Sequence, residues 1–345
     1  MRGRVVALDH LNGRAAAALI VDGKLDDFLI DGPEDGPPSP GSIFRAICDR
    51  PLKGQGGMML RLPDGSGFLR QAKGLRPGQP ILVQVTGYSE PGKAVPVTTR
   101  ILFKSRYAIV TPDAPGTNIS RTIKDEEERV RLREIASEFM ADIAGVGLIL
   151  RSCSAQADDA DIANDIKAMR DVCAAVTADQ DGDKPELLFD GPDAHSLAWR
   201  EWGTPDQLAD SPGSFEDHGV HDMIDALTSS KLSLTSGAYA YIEPTHALVA
   251  IDVNTGPDTS PAAGLKANIA LARDLPALLR CRGLGGQITI DFAPLSKKDR
   301  RQIEQVLKSA FRKDPIETAL AGWTPLGHFE LQRKRERLPY ADSLK

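Results

Sequence analysis

Three oxygen-bearing side chains stand among residues that otherwise belong in a core. Asp252 and Asn254 lie in ALVAIDVNTG (residues 247–256), and Asp291 lies near the end of QITIDF. Both stretches are apolar runs of strand length. Residues two apart on a strand share a face, so Asp252 and Asn254 present a carboxylate and an amide side by side. An unpaired carboxylate is costly to bury, and its neutralisation by a cation removes the cost. In open α/β sheets, ligands gather at the carboxyl ends of strands. Two carboxylates and an amide oxygen brought together there make an all-oxygen site suited to Mg2+, which takes one or two carboxylates and keeps several waters. Alternatively, Asp252 and Asn254 cap the following turn through side-chain to backbone bonds and Asp291 opens a loop. Spacing alone leaves both open.

The surrounding elements fit an α/β arrangement. GAYAYIEP and HALVAIDVNTG are consecutive strands, a helix is expected from about Leu265 to Arg280, LGGQITIDF is a further strand, and KKDRRQIEQVLKSAFRKD a further helix. Upstream, the chain opens with strands around Asp22-Gly23, a hairpin turn signal. Residues 31–41 (DGPEDGPPSPG) are too rich in Pro, Gly and acid to pack and read as a linker. Short strands from Ser42 to about Thr99 predict a small barrel. Two amphipathic helices follow, one with Leu132, Ile135, Phe139 and Ile143 on a face and one with Ile162, Ile166, Met169, Cys173 and Val176, separated by the strand GVGLILRS. The fold class is therefore mixed α+β and α/β in several subdomains.

At 345 residues the chain is long enough for two or three domains. A hydrophobic fraction of 41% without an apolar run of membrane-spanning length, and no signal-peptide pattern, predict a cytoplasmic protein. The four cysteines are scattered, with no CxxC pair, and are expected as reduced thiols. The net charge of −6 excludes the globally basic class of nucleic-acid binder, so any polyanion must meet a local basic surface. QRKRER (332–337) is either such a surface, with Arg333 and Arg335 on phosphates, or a solvated helix end. ADQDGDK lacks the glutamate that closes a calcium loop and is expected as a solvated turn. His218 and His221 of DHGVHD have a zinc-compatible spacing, but no third ligand stands at a recognised distance, so a surface turn is expected.

AYAYIEPTHALVAIDVNTG followed by KANIALARDLPALLRCRGLGGQITIDF resembles the catalytic DNase-I-like subdomain of the bacterial ribonuclease E/G family. VDGKLDDFLID is similar to that family's split RNase-H-like subdomain, GFL and its neighbouring strands to its OB-type RNA-binding barrel, and NISRTIKDEEERVRL through GLILRS to its 5′-sensor region. The resemblance implies an RNase-H-like subdomain at 1–35 and 177–228, the barrel at 41–100, the 5′-sensor at 101–176 and the catalytic subdomain at 229–338. It implies a Mg2+-dependent endoribonuclease that cuts single-stranded RNA to 5′-phosphate and 3′-hydroxyl ends, with Asp252, Asn254 and Asp291 catalytic and Asp252 and Asp291 holding the metal. A catalytically weak or inactive RNA-binding homologue is the alternative.

The same resemblance assigns RNA contacts to Phe68 and Lys93 in the barrel, where Met59 replaces a second family aromatic, and to Arg151 and Ser152 in the sensor. Taken alone, without the resemblance, Phe68 reads as a barrel core residue. Glu317 stands where the family has a further arginine, so recognition of a 5′-monophosphate is expected to be weak or absent. The family's CxxC segment does not follow ELQRKRER, so a zinc-linked dimer is not expected.

Overall fold

Asp22 and Gly23 both take positive φ, 49° and 79°, the backbone of a two-residue hairpin turn. The strands Arg14–Val21 and Lys24–Ile30 close on it with Val21 opposite Lys24. Asn12 and Gly13 repeat the device between Arg4–Leu11 and Arg14–Val21, a second hairpin beyond the one expected. Gln207–Ala209 completes this sheet, pairing in parallel with Arg4–Leu11. The computed structural model describes residues 3–343 except 53, 55, 91 and 142–144. They pack as two units, one formed by the chain up to Asp35 and again from Pro205, the other by Gly36–Thr204. The break falls inside the Pro- and Gly-rich linker.

In the Gly36–Thr204 unit, Ile43–Leu52, Gly57–Arg61, Ser66–Leu69, Val95–Thr98 and Pro80–Val85 pair in that spatial order. Pro80–Val85 returns to Ile43–Leu52 and closes a five-stranded barrel. Ala46, Met58, Leu60, Leu69, Val83 and Val97 fill it. Next comes a four-stranded sheet carrying the helices Glu126–Met140 and Asp159–Ala178. Asp125 and Asp158 cap the helices through their carboxylates. Leu132, Ile135, Ile162, Ile166, Cys173 and Val176 are buried as expected, with Phe139 and Met169 packed at their margin; Ile143 lies outside the described residues.

Residues 177–204 pack in this unit and not with the N-terminal strands to which sequence assigned them. Glu186–Phe189 pairs with Ile43–Arg45 on the barrel. The ADQDGDK turn is wrapped round a side chain: the carbonyls of Asp179 and Lys184 accept from the Arg45 guanidinium, which also pairs with Glu186. The turn is thus held by a protein cation on its main-chain carbonyls.

The other unit centres on a six-stranded sheet in the order Lys231–Ser233, Tyr239–Pro244, Val249–Asn254, Gly286–Asp291, Phe329–Arg333, Thr318–Trp323. The helices Ala263–Cys281 and Lys297–Phe311 cover one face. Leu271, Leu275, Leu279, Ile303 and Leu307 pack on Ala240, Ile242, Ile251, Val253, Ile288 and Ile290. The alternate residues Glu243, Asp252, Gln287, Asp291 and Gln332 are exposed on the opposite face. Cys281 is buried in the neighbouring core, where burial raises its thiol pKa to about 12, so it stays protonated and unreactive. Cys48 and Cys173 are likewise buried, Cys153 is half-buried, and all four are free.

Candidate active site

The strands Val249–Asn254 and Gly286–Asp291 run parallel, and Asp252 is the register partner of Asp291. A parallel pair requires a crossover, usually a helix, and Ala263–Cys281 supplies it. Because Ile251, Val253 and Ile290 enter the core, Asp252 and Asp291 project together from the open face, about 4.8 Å apart as neighbouring strands are. Asn254 lies two residues on, on the same face, and its Nδ2 donates to Asp252 Oδ2 at 2.8 Å. That bond ties the two side chains to each other and not to the amides of the following turn.

Two further contacts hold the strand ends. Asn268, fully buried in the crossover helix, donates its Nδ2 to the Ala293 carbonyl at 2.9 Å and accepts from the Ala293 N–H at 3.0 Å. The chain just beyond Asp291 is thereby bolted to the helix. After Asn254 the backbone turns at Gly256 (φ 62°) so close to residue 237 that a Cβ would sit 2.2 Å from the Gly237 carbonyl oxygen; only glycine fits. Sequence reading singled out neither Asn268 nor Gly256. It also passed over His328, whose Nε2 lies 3.9 Å from Asp291 Oδ1.

Like charges on adjacent strands repel, and the Asp291 side chain is 64% exposed, so a cation has access to both carboxylates. The donor set of two carboxylates and an amide is all oxygen and fits Mg2+. Among the described residues, no cluster of three or more His, Cys, Asp or Glu side chains is arranged to hold a metal. An ion here would take most of its shell from water or from a ligand's oxygens. His218 is half-buried and His221 exposed against the Phe215 ring, and neither belongs to a metal cluster.

The remaining expected contacts lie elsewhere. Phe68 is not a core residue: its neighbours Gly67 and Leu69 point into the barrel, while its ring lies outside, half-buried, opposite Met59. The ring rests on Gly57, where a Cβ would come within 2.4 Å of it. Lys93 forms an ion pair with Glu90. Arg151 donates to the carbonyls of Ser105, Arg106 and Arg200 and to Glu201 Oε2 at 2.7 Å; Ser152 is exposed beside it. Glu317 pairs with Lys334 at 2.5 Å.

QRKRER is neither a helix end nor uniformly a surface. Arg333 ends the strand Phe329–Arg333 and is 1% exposed, bound to Asp314 and Thr318. Arg337 pairs with the buried Asp27. These two arginines hold the fold and are not positioned for phosphates.

Glu201 gathers three cations: Lys104 and Arg200 at Oε1, and Arg151 at Oε2, each at 2.7 Å. Burial pushes its carboxyl up, but Lys104, Arg200 and Arg151 outweigh it and hold the pKa at about 2, below the usual 4.5. A depressed carboxylate stabilises the folded state above its unfolded pKa and loses that contribution as pH falls toward the folded value. We expect Glu201→Gln to cost about 2–3 kcal/mol at neutral pH. Urea titrations should show the gap between the two proteins closing from pH 5 to pH 2; a constant gap would contradict the assignment.

A family model described as "Ribonuclease E/G family" matches residues 103–208 and 206–336. Ribonuclease G of Salmonella typhimurium is 28% identical over 306 residues, covering 76% of this chain and 61% of that protein. Ribonuclease E of a Nostoc species is 28% identical over 302 residues, covering 76% and 44%. Ribonuclease G of Haemophilus influenzae is 27% identical over 305 residues, covering 76% and 61%. The chain thus spans less than two thirds of the length of these relatives.

Proposed function

The chain belongs to the ribonuclease E/G family, and from that premise we propose that it is a divalent-metal-dependent endoribonuclease of RNA processing or decay, acting on single-stranded RNA in the cytoplasm. The observation that carries this is the register pairing of Asp252 with Asp291, which puts two carboxylates on one open face at the same end of parallel strands. No helix among the described residues is long and apolar enough to cross a membrane.

Asp252 and Asp291 would hold Mg2+. Bound there, the ion would supply an activated water and offset charge on the phosphodiester during hydrolysis. Asn254, whose Nδ2 donates to Asp252, fixes the carboxylate's orientation and would offer its amide oxygen to the ion or the phosphate's water shell. Asn268 holds the Asp291 strand end against the crossover helix, so that neither carboxylate must reorganise during the reaction. The six-stranded unit corresponds to the DNase-I-like subdomain, and the sheet led by Arg4–Leu11 to the RNase-H-like one.

In the OB-type barrel, the outward Phe68 ring is positioned to stack on a base, a contact worth about 1–3 kcal/mol, and the exposed Lys93 side chain lies within the same unit. Arg151 and Ser152 occupy the family's 5′-sensor positions, but the Arg151 guanidinium is engaged by Glu201 and three carbonyls, and Glu317 presents a carboxylate. Recognition of a 5′-monophosphate is therefore weak or absent.

Matched single-stranded A/U-rich RNAs with 5′-monophosphate or 5′-hydroxyl ends, incubated with Mg2+ or with EDTA, test these statements. Cleavage should require the metal and leave 5′-phosphate and 3′-hydroxyl ends. Products ending in a 2′,3′-cyclic phosphate would mean attack by the ribose hydroxyl and would overturn the mechanism, and binding without cleavage would favour an inactive RNA-binding homologue. The two substrates should be cut at comparable rates; an advantage of about tenfold for the monophosphate, or 1.4 kcal/mol, would show that the sensor works.

A further inference from the structure

The open face that carries the carboxylates also carries a pair of aromatic rings to which no role has been given. Lys231 is the register partner of Tyr241, Tyr241 of Asp252, and Asp252 of Asp291. Register partners project from the same face of a sheet, so these four side chains form one row across four adjacent strands. Tyr239, two residues before Tyr241 and on the same face, is the partner of Asn254. Its ring meets that of Tyr241 edge to face, with centroids 5.7 Å apart. The Lys231 ammonium lies 4.3 Å from the Tyr239 centroid.

Both tyrosines are half-buried, while Ala238, Ala240 and Ile242, which alternate with them, are fully in the core. The edge-to-face contact and the ammonium fix the rings before any ligand arrives, which lowers the entropic cost of binding. Tyr241 is one strand spacing from Asp252, about 4.8 Å, on the side away from Asp291. A ring at that place faces whatever adjoins a phosphodiester held at the carboxylates, and a base is the flat group that adjoins it. Lys231, one strand further out and exposed, provides a positive charge for the next phosphate in an otherwise acidic chain.

We propose that Tyr241, braced by Tyr239 and flanked by Lys231, is a base-stacking subsite for the nucleotide next to the cut phosphodiester, so that single-stranded RNA lies across the sheet along this row. The proposal rests on Asp252 and Asp291 being the cleavage centre, and adds the element that holds the strand there. Stacking on a ring face is tolerant of base identity, so the subsite contributes affinity and placement more than sequence choice.

Binding of a fluorescein-labelled single-stranded RNA in EDTA, read by anisotropy, tests the subsite without cleavage. Tyr241→Ala and Tyr241→Leu should each weaken binding about 5- to 150-fold, the equivalent of 1–3 kcal/mol for one stacked base, whereas Tyr241→Phe keeps the wild-type affinity. Tyr241→Leu retains apolar bulk, so its loss separates stacking from packing. Lys231→Ala should lower the salt dependence of log K by about one phosphate contact. A single abasic nucleotide walked along the RNA should weaken wild-type binding at the position next to the cut and have no effect there on Tyr241→Ala. Wild-type affinity in Tyr241→Leu, equal losses in Tyr241→Phe and Tyr241→Ala, or an abasic penalty that persists in Tyr241→Ala would each overturn the proposal. If wild-type protein fails to cleave with Mg2+ but shows the ring-dependent binding, the subsite stands and the nuclease assignment falls.

Discussion

Replacing Asp252 with Asn is expected to lower Mg2+-dependent RNA cleavage by at least about a thousandfold, or 4 kcal/mol of transition-state stabilisation. The side chain is exposed and accepts a hydrogen bond from Asn254, so the change should alter folding stability by no more than about 0.5 kcal/mol, as for most surface substitutions. Affinity for RNA in EDTA should hold or rise, because one negative charge next to a polyanion has gone. Calorimetric titration with Mn2+ as a Mg2+ surrogate should show the site lost. Asp291→Asn should behave in the same way, and the double variant should be little worse than either single one, since residues acting through one ion are strongly non-additive. Cleavage by Asp252→Asn within about tenfold of wild type would remove the carboxylate pair from the chemistry.

Asp314→Ala should produce the largest loss of stability, about 3–5 kcal/mol, as found when one partner of a buried ion pair is removed. The Asp314 side chain is completely buried between two arginines: Arg280 donates to Oδ1 at 2.5 Å, and Arg333 binds Oδ2. Without it, two buried guanidiniums lose their counter-charge, although Arg280 keeps Asp26 and Asp27. Arg280 lies in the last turn of the crossover helix, and Arg333, the last residue of its strand, is the register partner of Gly286 at the start of the Asp291 strand. The loss should therefore appear as unfolding of the unit that carries the carboxylates. Urea denaturation measures it. A second change, Arg333→Met, should recover part of the deficit, because an apolar side chain replaces an unpaired buried charge. A loss below about 1 kcal/mol, within the range of surface pairs, would contradict the burial of this network.

Local signals carried a good part of the architecture. The Asp22-Gly23 turn, the linker around Gly36, the closely spaced barrel strands and the stripes through Leu132 and Ile162 all depend on neighbours a few residues away. The Asn12-Gly13 turn was equally legible in sequence. Asp252, Asn254 and Asp291 stood out because polar residues interrupt apolar runs, and the structure brings these three onto one face.

What sequence could not show was set by contacts across long separations. The Asp252–Asp291 register, and with it the row through Tyr241, depends on pairings between strands that periodicity cannot align. Arg333 and Arg337 looked like surface charges because their partners, Asp314 and Asp27, lie 19 and 310 residues away, beyond the reach of any helix or strand period. Glu186–Phe189 is short and half exposed, and its partner strand lies some 140 residues earlier, at Ile43–Arg45. The boundary it determines was invisible. Asn268 reads as an ordinary helix residue until Ala293 is seen against it.

The unit bearing the carboxylates is interrupted, resuming at Pro205 after it pauses at Asp35, and this bears on how the protein is dissected. A nested deletion from either terminus removes strands that this unit needs: Arg4–Leu11 pairs with Gln207–Ala209, and Phe329–Arg333 borders the Asp291 strand. A fragment that keeps both carboxylates is reached by excision, joining the segment before Gly36 to Pro205, and the excised piece, Gly36–Thr204, is itself one contiguous gene segment.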